Sequence, residues 1–175
     1  MMSRLSYQQV TKFINAPVPR EIEDDILEAF AKNSLESDMT VKNLDSYFND
    51  LQLPKILCSK IRKEDLCLEG TNVIDFERII SYTYHILIFM DNEATIDEMW
   101  KLLVRQCARD VEFPNVLLKN HVLSIKDIQK VANTVGMEKG FGIIEMMSMA
   151  TSGSRVYMTY LDFAFVLGKL GYLRF

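Results

Sequence analysis

The chain has 175 residues, 49% of them hydrophobic and 25% charged, an ordinary globular balance that excludes intrinsic disorder for most of its length. Its net charge of −4 argues against the clustered basic footprint of a nucleic-acid surface. The longest uncharged run, Ile79 to Met90, is too short to span a membrane.

Seven Gly and four Pro are few for this length and favour helices over a sheet built on tight turns. The first residues have no apolar signal-peptide core, and 1–18 reads as an N-terminal extension. Pro19 opens the first helix, with Glu21, Glu23, Asp24 and Asp25 in its early turns and Ile22, Ile26, Ala29 and Phe30 on one face. Pro54 opens a second, carrying Ile56, Leu57 and Ile61. The run from Ile79 to Met90 reads as a buried helix. Thr95 and Glu98 have the spacing of a capping box ahead of Ile96, Met99, Trp100 and Leu103. A further helix runs through Ile143, Ile144, Met147 and Ala150, and Gly136 and Gly171 fall where C′ residues should follow two exiting helices. Eight main helices are expected.

Four short strings share one grammar: an apolar residue, a helix-capping residue, an apolar residue, any residue, then Asn, Arg or Asp, then an apolar residue. They are Met39–Leu44 (MTVKNL), Ile74–Ile79 (IDFERI), Leu123–Ile128 (LSIKDI) and Met158–Phe163 (MTYLDF). Each reads as one extended residue, an N-cap (Thr40, Asp75, Ser124 or Thr159) and the first turn of an amphipathic helix. Ser124 with Asp127 and Thr159 with Asp162 resemble capping boxes. The strings begin 35, 49 and 35 residues apart in turn. A spacing of about 35 holds one helix, a loop with a short strand and a second helix, which is the EF-hand unit; two such units pair through their strands into one lobe. The predicted fold is therefore all-α and two-lobed, with lobes over 19–92 and 93–175, four degenerate helix-loop-helix units and an extended third unit.

Calcium binding by such a loop needs oxygens at positions 1, 3, 5, 7 and 9, a Glu at 12 and a Gly at 6. With each string starting at position 8, position 1 is Lys32, Cys67, Val116 and Thr151, position 6 is Ser37, Asn72, His121 and Val156, and position 12 is Asn43, Arg78, Asp127 and Asp162. The charge and geometry for calcium are gone, so the loops are expected to act as scaffold and to bind no metal. Three Cys without a C-x-x-C pair argue against a disulfide framework or a thiolate zinc site and suggest an intracellular protein with free thiols. His85 lies in an apolar run and reads as a satisfied core residue, and Cys107, despite Arg105 and Arg109 nearby, as a buried structural thiol. The glycine-bearing stretch from Gly136 to Gly142 lacks the setting of a phosphate loop and reads as a hinge. No nucleophile, base and orienting group come together, so neither an enzyme nor a cofactor is expected.

From about Pro19 to Phe175 the chain resembles the calmodulin and centrin superfamily, most closely through Glu145 to Ala150 and on to Phe163. A nearer resemblance is to the family of centrin-like nucleotide-excision-repair accessory proteins of budding yeasts. It is carried by Glu21 to Val41, Val73 to Ile80, Cys107 to Val116, Val122 to Val135 and Met158 to Leu173. The resemblance implies a nuclear, non-catalytic subunit that clasps an amphipathic C-terminal helix of a damage-recognition protein of the xeroderma pigmentosum group C family without calcium. It implies no direct nucleic-acid contact and no membrane. Carried onto matching positions, the partner-helix groove of the second lobe is lined by Trp100, Leu103, Ile128, Ala132, Val135, Met146, Ala150, Phe163, Val166 and Leu167. The spacing of Phe163, Val166, Leu167 and Leu170 at i, i+3, i+4 and i+7 agrees, and the ten Met suit adaptable helix contacts. The chain departs from the family pattern between Leu103 and Leu123, where the extra residues extend the helix, form a surface loop or touch the partner. The same fold also serves light chains and spindle-pole centrins, which clasp cytoskeletal helices.

Overall fold

The structure, a computed structural model, describes residues 7–136 and 143–175. They are mostly helical and divide into two compact units, Met1–Asp91 with Arg174–Phe175, and Asn92–Leu173. The stretch from Met137 to Gly142, most of the expected hinge, lies outside the described residues.

In the first unit the segment ahead of Pro19 holds a helix, α1 (Tyr7–Ile14), which buries Phe13 completely. The Phe13 ring lies 4.6 Å from His85, 6.1 Å from Phe89 and 5.7 Å from Phe175, centroid to centroid. His85 is buried, and its Nε2 lies 2.9 Å from the Phe13 carbonyl oxygen, so it is a satisfied core residue as expected. Helix α2 (Arg20–Lys32) turns Ile26 and Ala29 inward, and Phe30 meets Phe76 edge-on.

Helix α3 (Leu44–Asp50) buries Leu44, Tyr47 and Phe48, and the Tyr47 hydroxyl pairs with Thr83 at 2.8 Å. The helix expected after Pro54 lasts one turn only, α4 (Lys55–Cys58). The Ile56 carbonyl, which the next turn would use, instead accepts from Ser59 Oγ at 3.2 Å and Lys60 Nζ at 3.0 Å. The run from Ile79 to Met90 is indeed a buried helix, α5 (Phe76–Asp91), with Ile79, Thr83, Ile86, Ile88 and Phe89 inside.

The first two strings meet as expected. Thr40 bridges Val73 in antiparallel fashion, and the Ile74 N–H donates to the Met39 carbonyl at 2.8 Å. Asn43 Oδ1 accepts from the Thr40 N–H at 2.9 Å, and Asp75 Oδ1 accepts from the Arg78 N–H at 3.1 Å, so both strings cap their helices.

The second unit opens with α6 (Glu93–Gln106). Its first turn begins at Asn92, whose carbonyl already accepts from the Ile96 N–H at 3.1 Å, so Thr95 lies inside the helix and the expected Thr95–Glu98 capping box does not form. The extra residues neither extend α6 nor form an open loop. Ala108 turns the chain with φ +56°, α7 (Arg109–Glu112) follows, and a 3-10 turn over Leu118–Asn120 packs on α6.

The third and fourth strings then pair: β1 (Leu123–Ser124) leads into α8 (Ile125–Thr134), α9 (Ile143–Ala150) follows, and β2 (Tyr157–Met158) leads into α10 (Tyr160–Lys169). The strands are antiparallel, with Leu123 opposite Met158, the equivalent first residues of their strings. At the end of α10 the Tyr172 N–H reaches the Leu167 carbonyl and the Gly171 N–H the Gly168 carbonyl, both at 3.0 Å, with Gly171 at φ +82°. That is the expected left-handed stop.

Candidate functional site

The residues expected to line a helix groove in the second unit separate into a floor and a rim. Trp100 on α6 is fully buried, its ring 5.4 Å from Phe163 and 6.1 Å from Tyr160 on α10. Phe163, Leu167 and Ala132 are also buried. Leu103, Ile128, Ala150 and Val166 are half-buried, whereas Val135 is 67% and Met146 49% exposed. The structure thus brings Trp100, Phe163 and Leu167 into the core of the unit and leaves the ends of α8 and α9 to supply apolar surface. Two residues that the sequence reading did not assign to the groove belong with the rim: Ile144 at 67% and Met149 at 72% exposure. Their signal was the apolar weight of α9 (IIEMMSMA), interrupted in sequence only by Glu145 and Ser148.

The floor is braced by the extra residues between α6 and β1. Trp100 Nε1 donates to the Leu118 carbonyl at 2.9 Å. Lys119 next to it binds Glu93 and lies 3.4 Å from Asp97, and Asp97 also accepts from the Tyr160 hydroxyl at 2.6 Å. Burial opposes the charge on Lys119, but Glu93 and Asp97 outweigh it and raise its pKa. Burial first, and then the Asp97 carboxylate, raise that of Tyr160, which keeps the phenol a donor. Arg109 closes the other end, with its Nε and Nη2 3.0 and 2.9 Å from Asp127 Oδ2.

Asp127 and Asp162 occupy equivalent places. Asp127 Oδ2 accepts from the Ser124 N–H and hydroxyl, both at 2.8 Å, and Asp162 Oδ2 accepts from those of Thr159 at 2.8 and 3.0 Å. Both are the expected capping boxes. Each carboxylate also holds an arginine: Arg109 on Asp127 and Arg155 on Asp162. Burial works to raise the Asp127 pKa, but the Ser124 hydrogen bonds and the Arg109 charge outweigh it and hold it below the ordinary value. Among the described residues no three His, Cys, Asp or Glu side chains converge as a metal ion would require. Cys107 is buried, and desolvation followed by the Asp127 charge pushes its thiol up to about 11, which suits a structural cysteine and not a nucleophile. His121 is buried as well.

Fold and site together define a two-unit helical protein in which each unit joins two capped strings in an antiparallel pair, the second unit also exposing apolar side chains on and beside α8 and α9. Its sequence matches the Rad33 family over residues 12–68 and 67–140. It is 51% identical over 172 residues to the protein named DNA repair protein RAD33 of Saccharomyces cerevisiae, an alignment that takes in 98% of this chain and 97% of the relative. The chain belongs to the Rad33 family. No solved structure matches it.

Proposed function

We propose that the chain acts in DNA repair as a non-catalytic accessory subunit of nucleotide excision repair. In this reading its second unit binds an amphipathic helix of a damage-recognition protein of the xeroderma pigmentosum group C family, in the nucleus and without calcium. The repair role rests on the identity to the yeast relative and on that protein's name. The mode of binding rests on one observation: Val135 just past α8 and Ile144, Met146 and Met149 on α9 lie exposed, on helices that pack with the α6 and α10 that carry Trp100, Phe163 and Leu167. Exposed apolar side chains, among them two Met at i and i+3, suit a helix laid into a groove. The units themselves read as degenerate EF-hand pairs. Equivalent residues of paired loops meet across β1 and β2, each loop ends in a cap that starts the exiting helix, and in three of the four loops position 12 (Asn43, Asp127 or Asp162) is part of that cap where a calcium ligand would stand.

Calorimetric titration of the recogniser's C-terminal helical segment into the full chain, with chelator present, tests this reading. Micromolar or tighter binding is expected, and Met146→Glu with Met149→Glu should weaken it by 100-fold or more, because each would bury an unpaired charge, a cost of several kcal/mol. Absence of heat with a peptide shown to be helical would refute the partner. Recovery of motor or spindle-pole proteins, and no repair proteins, on affinity purification would favour the light-chain-like alternative.

A further inference from the structure

Three of the four loops are held by an arginine, and in the second and the last its guanidinium joins parts of the loop that a calcium ion would otherwise join. In the last loop, with Thr151 at position 1, Arg155 stands at position 5 and binds Asp162 at position 12. In an ion-binding loop both of those side chains are ligands of the same metal. In the second loop the direction is reversed: Arg78 at position 12 donates through Nη1 to the Cys67 carbonyl at position 1, at 2.8 Å, and its Nε lies 3.7 Å from Asp75 at position 9. In the third loop the cation comes from the extra segment, as Arg109 on Asp127. The first loop has no such arginine; there Asn43 binds Thr40 directly.

We infer that these guanidiniums are tethered cations: they close the loops electrostatically, in place of a dissociable ion, and hold each exiting helix in register permanently. The chemistry suits the task. A guanidinium carries its charge at any accessible pH and presents several donors in a rigid fork, so it can neutralise a buried carboxylate and bond to it at once. The side chains of Arg155 and Asp162 are only 15% and 12% exposed. Arg155 Nε is buried with no acceptor, so the hold on this side chain comes through Asp162 and the Tyr157 ring, 5.6 Å away. Asp162 and Asp127 would each be a buried anion without their partner, although their capping bonds alone would satisfy one oxygen. At Asp162 the capping box uses Oδ2 and the arginine takes Oδ1, an oxygen the capping role leaves unexplained, whereas at Asp127 cap and arginine share Oδ2.

The position numbers rest on the EF-hand reading proposed above, whereas the latch rests on the distances alone, and one experiment separates them. Arg155→Met, Arg155→Lys, Asp162→Asn and the Arg155→Met/Asp162→Asn double variant of the full chain are melted with chelator and with millimolar calcium. An electrostatic latch predicts that Arg155→Met lowers the midpoint by on the order of 10 °C, that Arg155→Lys retains most of it, and that the double variant is far less unstable than the two single losses combined. Strictly additive losses, or Met tolerated better than Lys, would overturn it. If neither Arg155 variant folds, the Met and Lys comparison is read at Arg78, whose side chain is 51% exposed, so that its loss should leave the unit folded. The calcium arm addresses the EF-hand reading: Arg155→Asp places a second carboxylate opposite Asp162 and should make the midpoint calcium-dependent. Coupling at Arg155 with no calcium response in Arg155→Asp upholds the latch and removes the loop numbering.

Discussion

Trp100→Phe tests whether the extra segment is a brace built into the second unit. The substitution keeps an aromatic ring against Phe163 and Tyr160 and deletes the Nε1–H that donates to the Leu118 carbonyl at 2.9 Å. The carbonyl's remaining donor is the His121 N–H, at a long 3.4 Å. Losing the bond costs about 1 kcal/mol. Replacing indole by phenyl at a position with no exposed surface leaves a void worth roughly 1–2 kcal/mol more. A total of about 2–3 kcal/mol corresponds to a fall in Tm on the order of 10–20 °C for a unit of this size. Far-UV circular dichroism gives the melt. Hydrogen exchange locates the effect, because the Asn120 N–H, bonded to the Leu117 carbonyl at 2.8 Å, should lose protection before the amides of α10. A Tm within about 3 °C of the parent, with Asn120 still protected, would show that the segment does not depend on Trp100 and that the brace lies in Lys119 and Arg109 alone.

The remaining predictions concern acid stability, the N-terminal helix and a helix stop. The Asp127 pKa is lowered in the folded chain, so the unfolded chain binds more protons at acid pH; the stability Asp127 contributes is complete above its ordinary pKa of about 4 and disappears as pH falls through the lowered value. Asp127→Asn should therefore flatten the acid limb of a urea-midpoint profile below about pH 4, and a limb parallel to the parent's would refute the assignment. Phe13→Ala empties a fully buried site beside His85 and Phe89 and should cost about 3–5 kcal/mol in urea denaturation, with α1 amides exchanging at once; an unchanged midpoint would mean that α1 contributes nothing to the first unit. Gly171→Ala forces a side chain into φ +82° and should cost about 1 kcal/mol, read as a small fall in the same midpoint.

The repeated strings were legible because each is written locally. A cap residue and the acid three positions on lie within one turn, so Ser124 with Asp127 and Thr159 with Asp162 could be read without knowing anything distant. Equal grammar in two copies then implied that equivalent residues meet, and Leu123 does face Met158. Elements decided by competition were not legible. Pro54 announces a helix correctly, but its length depends on whether the Ile56 carbonyl takes a backbone or a side-chain donor, and Ser59 and Lys60 supply the latter. At α6 the sequence suggests a start at Thr95, and the Asn92 carbonyl takes an earlier one. The arginines were the least legible: nothing local pairs Arg109 with an aspartate 18 residues on. That Trp100, Phe163 and Leu167 are buried was not legible for a related reason, since periodicity places Phe163 and Leu167 on the apolar face of α10 without saying whether that face meets core or partner.

Whether the floor takes part in binding can be settled by energy and by one fluorophore. The four exposed rim side chains would each yield about 1.5–3 kcal/mol if fully buried by a partner, or about 6–12 kcal/mol together. Lost translational and rotational freedom consumes an estimated 4–15 kcal/mol of that before any side chain is ordered. A rim-only complex is therefore weak, and micromolar or tighter binding requires that α9 or α8 shift to admit the partner to Trp100, Phe163 and Leu167. Trp100 is the chain's one tryptophan and is fully buried, so its emission reports on that floor without labelling. Saturation with a tryptophan-free helical peptide should change its emission maximum or its quenching by acrylamide. Calorimetrically saturated binding with neither altered would confine the partner to Val135, Ile144, Met146 and Met149, and Trp100, Phe163 and Leu167 would then belong to the core alone.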